Sequence, residues 1–120
     1  MLMQTHKDLD IWKLGIGLVK DVYLLTGTFP SSEKYGLSSQ MQRCAVSVPS
    51  NIAEGAARKS KNEYIQFLYI SLGSLAELET QVIISKEIAY TQNNMAILSD
   101  IEILRKKMLN FITYVKENYA

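Results

Sequence analysis

The sequence predicts an all-α protein, an antiparallel up-and-down bundle of four helices. Apolar residues recur at spacings of three and four in four successive stretches, which is the pattern of one buried helix face. Short polar connections separate the stretches, and short connections make consecutive helices antiparallel neighbours. No stretch has the two-residue alternation of a strand. At 120 residues the chain has the length of a single domain, which we place at 1–120.

The first helix is predicted from about Asp8 to Phe29, with Pro30 closing it. Its buried face is expected to carry the apolar residues that recur at helical spacing, namely Leu9, Trp12, Ile16, Val19, Tyr23 and Leu24. Gly15 and Gly17 each cost a helix about 1 kcal/mol relative to alanine unless close packing needs them.

The second helix is predicted from about Leu37 to Ala57. Ser39 and Gln42 have the spacing of a capping box at its start. Pro49 lies inside the apolar pattern, so we expect a kink there rather than a break. The core positions expected are Leu37, Met41, Cys44, Val48 and Ile52, with small alanines beside them.

The third helix is predicted to begin at a capping box formed by Ser60 and Glu63 and to run to about Ala89. It is apolar on two sides, which indicates two neighbouring helices. Its narrow apolar seam consists of Ile65, Leu68, Leu72, Leu75 and Val82, and its second face of Tyr64, Phe67, Leu78 and Ile88. The fourth helix is predicted from about Asn94 to Asn118.

Composition favours a soluble cytoplasmic protein. Lys and Arg total 13 against 12 for Asp and Glu, so the chain has no overall field that would attract nucleic acid or an anionic membrane. A single cysteine excludes an internal disulfide and suits a reducing compartment. The start of the chain becomes polar within ten residues, and the apolar runs are interrupted before the roughly 20 residues of a membrane span. We therefore expect no membrane partner.

The residue chemistry does not indicate an enzyme. His6 is the only histidine, so the Glu-x-x-His pairs of bundle metal sites are absent. Cys44 lies on an apolar face, where a lone cysteine is usually a small hydrophobic residue. No glycine-rich phosphate loop is present. We expect no cofactor, no metal and no small-molecule substrate, although an enzyme using Glu54, Glu77 and Glu79 stays open as a third hypothesis.

Polar residues on the second and third helices form a candidate structural or assembly surface. Glu79 continues the apolar seam, so we expect it to be paired, and Arg43 is the arginine placed to pair with it. The surface could operate between helices or between subunits. Its predicted members are Arg43, Ser47, Ser50, Asn51, Glu54, Glu77 and Glu79, with Gln66, Ser74 and Gln81 opposite them.

Two local basic clusters are candidate nucleic-acid contacts. One follows the second helix and the other lies in the fourth. Charge runs of this kind are most often solvated surface, and the alternative is contact with phosphates. The clusters are Arg58, Lys59 and Lys61, and Arg105, Lys106 and Lys107.

Three motifs resemble a known family. They are AVSVPSNIAEG at 45–55, EYIQFL at 63–68 and GSLAELETQ at 73–81, and the stretch from Asp8 to Pro30 is similar to the same family's first helix. Together they resemble the proteins encoded within intervening sequences of bacterial 23S ribosomal RNA genes. The resemblance implies a four-helix bundle that forms a homo-oligomer, with a ring of five as the expected form, and suggests a link to ribosomal RNA.

Two hypotheses of function follow. The first is a non-enzymatic oligomeric scaffold, with RNA or a ribonucleoprotein as partner and with the second and third helices supplying the assembly surface. The alternative is a nucleic-acid-binding accessory protein that uses the two basic clusters, similar to the accessory proteins of retroelements. Those proteins have strongly basic surfaces, whereas the formal net charge of this chain is +1.

Overall fold

The computed structural model describes residues 5–119 and contains helices and no strand in that range. Its α-helices are α1 (Asp10–Thr26), α2 (Leu37–Ala56), α3 (Lys61–Glu87) and α4 (Met95–Asn118), with 3-10 turns at His6–Asp8 and Ser31–Glu33. Every predicted helix is present, and each end lies within three residues of its predicted position. The all-α prediction is confirmed.

The helices pack in sequential order around the bundle. α1 contacts α2, α2 contacts α3, α3 contacts α4, and α4 returns to α1, while the described residues show no such packing across the diagonals. Between α2 and α3, Cys44 lies opposite Glu77, Val48 opposite Ser71, and Gly55 against Phe67. As residue numbers increase along α2, the numbers of the facing residues on α3 decrease, so the two helices are antiparallel. The bundle measures 48 × 24 × 24 Å.

The buried apolar side chains form one cluster to which all four helices contribute. Val22, Met41, Leu75 and Met108 are each at most 1 % exposed, one from each helix. Hydrophobic burial of this kind is the main force that holds the four amphipathic helices together.

α1 is rotated relative to the prediction. Ile16, Tyr23 and Leu24 were expected in the core but are 45 %, 49 % and 65 % exposed. The cause is Gly15, where an added Cβ would lie 3.3 Å from Cβ of Pro49. Because Gly15 faces α2 at close range, residues spaced by three, four and seven positions from it are buried. These residues are Ile11, Leu18 and Val22.

The start of α2 also differs from the prediction. The helix begins at Leu37, so Ser39 lies within the first turn and does not cap it. The N–H of Leu37 donates instead to Oε1 of Glu33 at 3.1 Å, and Gln42 donates to Oγ1 of Thr26 at 3.0 Å. The prediction of a Ser39–Gln42 capping box is therefore wrong. The cap at Ser60 is confirmed, because its Oγ accepts from the N–H of Glu63.

α2 continues through Pro49 without a break, as predicted. Proline supplies no N–H to the preceding turn. Next to it, the carbonyl of Val48 accepts a hydrogen bond from the buried Oγ of Ser71 on α3 at 2.7 Å. The proline turn is thus joined directly to the neighbouring helix.

The apolar residues of α3 are distributed more evenly around the helix than those of the other three α-helices. By length and composition it qualifies as a candidate membrane span, with mean hydropathy 1.3, and only 33 % of the qualifying window is buried. One such helix is weak evidence for a membrane span, because a mostly buried core helix of a soluble protein passes the same test. α3 packs against both α2 and α4 and buries the polar residues Ser71, Gln81 and Ser85.

Candidate polar cleft between the second and third helices

A polar cleft of about 300 Å³ lies between α2 and α3. Its walls come from residues spaced by three and four positions, because such residues share one side of a helix. α2 contributes Gln40, Arg43, Cys44 and Ser47, and α3 contributes Ser74, Glu77 and Gln81.

Two serines join the walls of the cleft. Oγ of Ser47 lies 2.8 Å from Oγ of Ser74, which places one hydrogen bond directly between α2 and α3. Asn51 supports this pair, because its Nδ2 donates to both Oγ and the carbonyl of Ser47 at 2.8 Å. Small side chains at these positions leave the space that the cleft occupies.

Cys44 is a hydrogen-bond donor in this cleft. Its Sγ lies 2.9 Å from Oε2 of Glu77 and 3.3 Å from the carbonyl of Ser74. Burial, reinforced by the hydrogen bond and charge of Glu77, raises the pKa of the Cys44 thiol to about 12. The thiol is therefore protonated at neutral pH, which suits donation to the carboxylate and does not suit nucleophilic chemistry.

Three groups in the cleft have binding capacity that the protein does not use. Gln81 is only 8 % exposed, yet its Oε1 accepts no hydrogen bond. Arg43 and Glu77 line the same cleft with opposite charges, but neither forms an ion pair with any residue in 5–119. Arg43 and Glu77 are exposed to solvent, whereas buried polar atoms such as Oε1 of Gln81 usually have a partner, so the unused acceptor marks a place for an added hydrogen bond beside the two charges.

The predicted ion pair between Arg43 and Glu79 is absent. Positions 77 and 79 differ by about 200° around a helix, so only Glu77 faces the groove that holds Arg43. Glu79 is half-buried near α4, where it adds to the effect of Glu102 in raising the pKa of Arg105.

The other predicted assembly residues divide into two groups. Ser47 and Glu77 line the cleft together with Arg43, and Asn51 contacts it through Ser47. Ser50 and Glu54 are exposed outside it. Gln66 is also exposed outside it, whereas Ser74 and Gln81 line it as described above.

The first basic cluster is engaged within the protein. Arg58 forms ion pairs with Glu54 at 3.7 Å and Glu63 at 3.9 Å, and its guanidinium lies 5.0 Å from the centre of the Phe67 ring. Nζ of Lys61 donates to the carbonyl of Lys116 at 3.2 Å. Lys59 is exposed and makes no such contact with the residues described.

The second basic cluster is also paired. Arg105 and Lys106 both contact Glu102 on their own helix, and Lys107 reaches Oδ2 of Asp10 at 2.8 Å. Phosphate binding at either cluster would compete with carboxylates already in place. Throughout residues 5–119, moreover, no group of three or more His, Cys, Asp or Glu side chains is placed to hold a metal ion.

Sequence reasoning missed the role of Cys44. Its position on the apolar face of α2 indicated a small core residue, and that description accounts for its burial. The available signal was its placement four residues after Gln40 and three before Ser47, which put the thiol on the same side of α2 as the polar residues.

The order of helices, the common core and the polar cleft define a four-helix bundle protein. The family model for the 23S rRNA-intervening sequence protein matches residues 7–110, which is most of the chain. The chain therefore belongs to the 23S rRNA-intervening sequence protein family, as its three motifs indicated. No curated protein sequence matches it.

Proposed function

We propose that this protein is a non-enzymatic, self-assembling scaffold of the cytoplasm, with a ring of five copies as its form and RNA or a ribonucleoprotein as its partner. The observation that supports self-assembly is the apolar outer side of α3. Large apolar side chains on a side of a helix that no neighbouring helix covers favour a further packing partner. α2 and α4 cover only part of α3.

The uncovered side of α3 carries a row of isoleucines, which we call the α3 row. It consists of Ile70, Ile84 and Ile88, which are 44 %, 41 % and 47 % exposed, together with Gly73. An added Cβ at Gly73 would meet nothing within 4 Å, so another helix could approach the backbone closely there. Glu77 and Thr80 lie between Gly73 and Ile84 along the α3 row, so its exposed apolar surface is in two parts. Exposed apolar patches favour interaction sites, and a second copy of this chain is the partner we propose.

The chemistry of the cleft supports a non-enzymatic role. Cys44 is the only cysteine that lines the cleft, and its raised pKa keeps the thiol protonated. Its carboxylate, Glu77, accepts from that thiol, and the residues that line the cleft include no histidine. Among residues 5–119, Glu77 belongs to no group of three or more side chains placed to hold a metal ion. The arrangement suits binding rather than proton transfer to a substrate.

Light scattering on the purified protein tests the assembly. We expect a mass of five chains at micromolar concentration, and a substantially smaller mass for Ile84→Glu, which places a charge in the α3 row. Ile103→Glu on α4 is the matched control, because Ile103 is exposed to a similar extent, 46 %, and lies outside the α3 row. A monomeric wild-type protein would overturn the proposal.

The family name supports a connection with RNA. Since four of the six predicted basic contacts are paired with carboxylates, we propose that bare RNA is bound weakly if it is a direct partner. Fluorescence anisotropy with a labelled ribosomal RNA fragment over a range of salt concentrations tests this. Tight binding that falls by orders of magnitude between low and physiological salt would favour the nucleic-acid-binding alternative.

A further inference from the structure

We infer that the polar cleft between α2 and α3 binds a small zwitterion with an amine and a carboxylate, such as a free amino acid that has a small polar side chain. The inference concerns a ligand of each individual chain and does not rest on self-assembly. It follows from which hydrogen-bonding groups in the cleft are occupied and which are not.

The α3 wall of the cleft presents acceptors. The carboxylate of Glu77 receives one hydrogen bond, from the Cys44 thiol, although a carboxylate can accept about four. Oε1 of Gln81 receives none and is almost completely buried. An ammonium group supplies three N–H donors and a positive charge, which matches the Glu77 carboxylate. Contact with Oε1 of Gln81, which is closed to solvent, requires the carboxamide to turn toward the cleft.

The α2 wall presents an unused cation. Arg43 lines the cleft and has no carboxylate within 4.0 Å among the residues described. Its guanidinium carries five N–H donors in a planar fork that fits a carboxylate in a bidentate manner. A ligand carboxylate directed toward α2 would therefore meet a charge of opposite sign.

Because a positive and a negative side chain line the same cleft, a ligand that carries one charge of each sign is favoured. An amine alone would leave Arg43 unpaired and an anion alone would leave Glu77 unpaired. The volume, about 300 Å³, is at the small end of ligand pockets and suits a molecule the size of an amino acid. The Ser47–Ser74 hydroxyl pair offers further acceptor capacity to a small polar side chain.

Isothermal titration calorimetry with L-serine tests the inference. We expect saturable binding with one site per chain. Ethanolamine lacks the carboxylate and acetate lacks the amine, and each should bind at least about tenfold more weakly, because a hydrogen bond to a charged group contributes roughly a factor of ten or more. Absence of L-serine binding, or equal binding of either half molecule, would overturn the inference.

Variants locate the site. Arg43→Gln, Glu77→Gln and Gln81→Leu should each weaken L-serine binding by about tenfold or more. Glu87→Gln, on α3 but outside the cleft, is the matched control and should bind as the wild type does. Circular dichroism checks that each variant is folded, and folded Arg43→Gln and Glu77→Gln proteins that both retain full affinity would contradict the site.

The same samples separate this inference from the proposed assembly. Mass from light scattering reports the oligomer, whereas calorimetry reports the ligand. L-serine binding by a monomeric protein would contradict the assembly alone. Binding by the dissociated Ile84→Glu variant, but not by the wild-type oligomer, would overturn the inference and assign the cleft to a second copy of the chain.

Discussion

At the scale of single residues, the backbone of Ala89 and the side chain of Glu33 show how local geometry is set without the usual sequence signals. Ala89, directly after the C-cap of α3, has φ of 64°, a left-handed conformation that glycine adopts more easily. Glu33 accepts from the N–H of Leu37 and from the hydroxyl of Tyr90. Neither position stood out in the sequence, because alanine is not the residue expected after a helix and Glu33 and Tyr90 are 57 positions apart.

Ala89→Gly should stabilise the protein. Glycine removes the left-handed strain of roughly 1–2 kcal/mol. It also increases the conformational entropy of the unfolded chain, which offsets part of the stabilisation, so we expect a net gain of about 1 kcal/mol. Urea denaturation measures the free energy of unfolding. Ala76→Gly, an exposed position inside α3, is the control and should lose about 0.5–1 kcal/mol. A loss of stability at Ala89 would contradict the strain.

Glu33→Gln should remove part of the pH dependence of stability. The hydrogen bond from Tyr90, and then that from Leu37, lowers the pKa of Glu33 below its ordinary value of 4.5. The contribution of Glu33 is therefore complete above pH 4.5 and is lost as the pH falls through the lowered pKa. The difference in unfolding free energy between wild type and variant should be largest at neutral pH and decrease in acid.

Tyr90→Phe provides the comparison for Glu33. It removes only the donor from Tyr90 and retains the N–H of Leu37, so its effect should be smaller and in the same direction. Urea denaturation of both variants from neutral pH to below 4.5 measures this. A constant difference between wild type and Glu33→Gln across that range would exclude the proposed role.

At the scale of helices, the sequence predicted where each one lies better than which side it buries. Pro30, the Ser60 cap and the polar links mark helix limits locally, and the four helices were predicted on those signals. The buried side of α1 depends on Gly15 and its approach to Pro49, a contact between residues 34 positions apart. Because α1 carries apolar residues on several sides, the spacing of apolar residues alone could not identify which side is buried.

The rotation of α1 has a direct test. Leu18→Ala should cost about 2–5 kcal/mol, because Leu18 is only 2 % exposed and its loss leaves a cavity. Leu24→Ala on the same helix should change stability by less than about 0.5 kcal/mol, because Leu24 is 65 % exposed. The sequence alone predicted Leu24 in the core. Urea denaturation measures the free energy of unfolding of both variants. Equal decreases would support the buried face that the sequence predicted for α1.

At the scale of the whole molecule, the fold was predictable and the cleft only partly so. Arg43 and Ser47 were recognised as one side of α2 because helical spacing places them together, and Glu77 was expected on the same polar surface from α3. The pairing of Arg43 with Glu79 was wrong because charge balance alone does not fix which side of α3 a carboxylate occupies. The unpaired state of Gln81 depends on every neighbour of its Oε1, which no sequence pattern specifies.

Self-assembly should make thermal stability depend on protein concentration. If the oligomer binds only folded chains, mass action raises the apparent melting temperature as concentration rises. We expect this increase for the wild type and for Ile103→Glu, and a much smaller one for Ile84→Glu. Differential scanning fluorimetry over a wide concentration range measures it, and a constant wild-type melting temperature would argue against an assembly coupled to folding.

The buried thiol of Cys44 also makes the α2–α3 contact measurable over time. An alkylating reagent must enter the cleft, or wait until the two helices separate, and the thiol must be released from Glu77 before it reacts. Because Cys44 is the chain's only cysteine, the labelling rate would report access to that one thiol without any engineered probe. Occupants of the cleft, whether a small ligand or a neighbouring chain, should then be recognisable by how strongly they slow it.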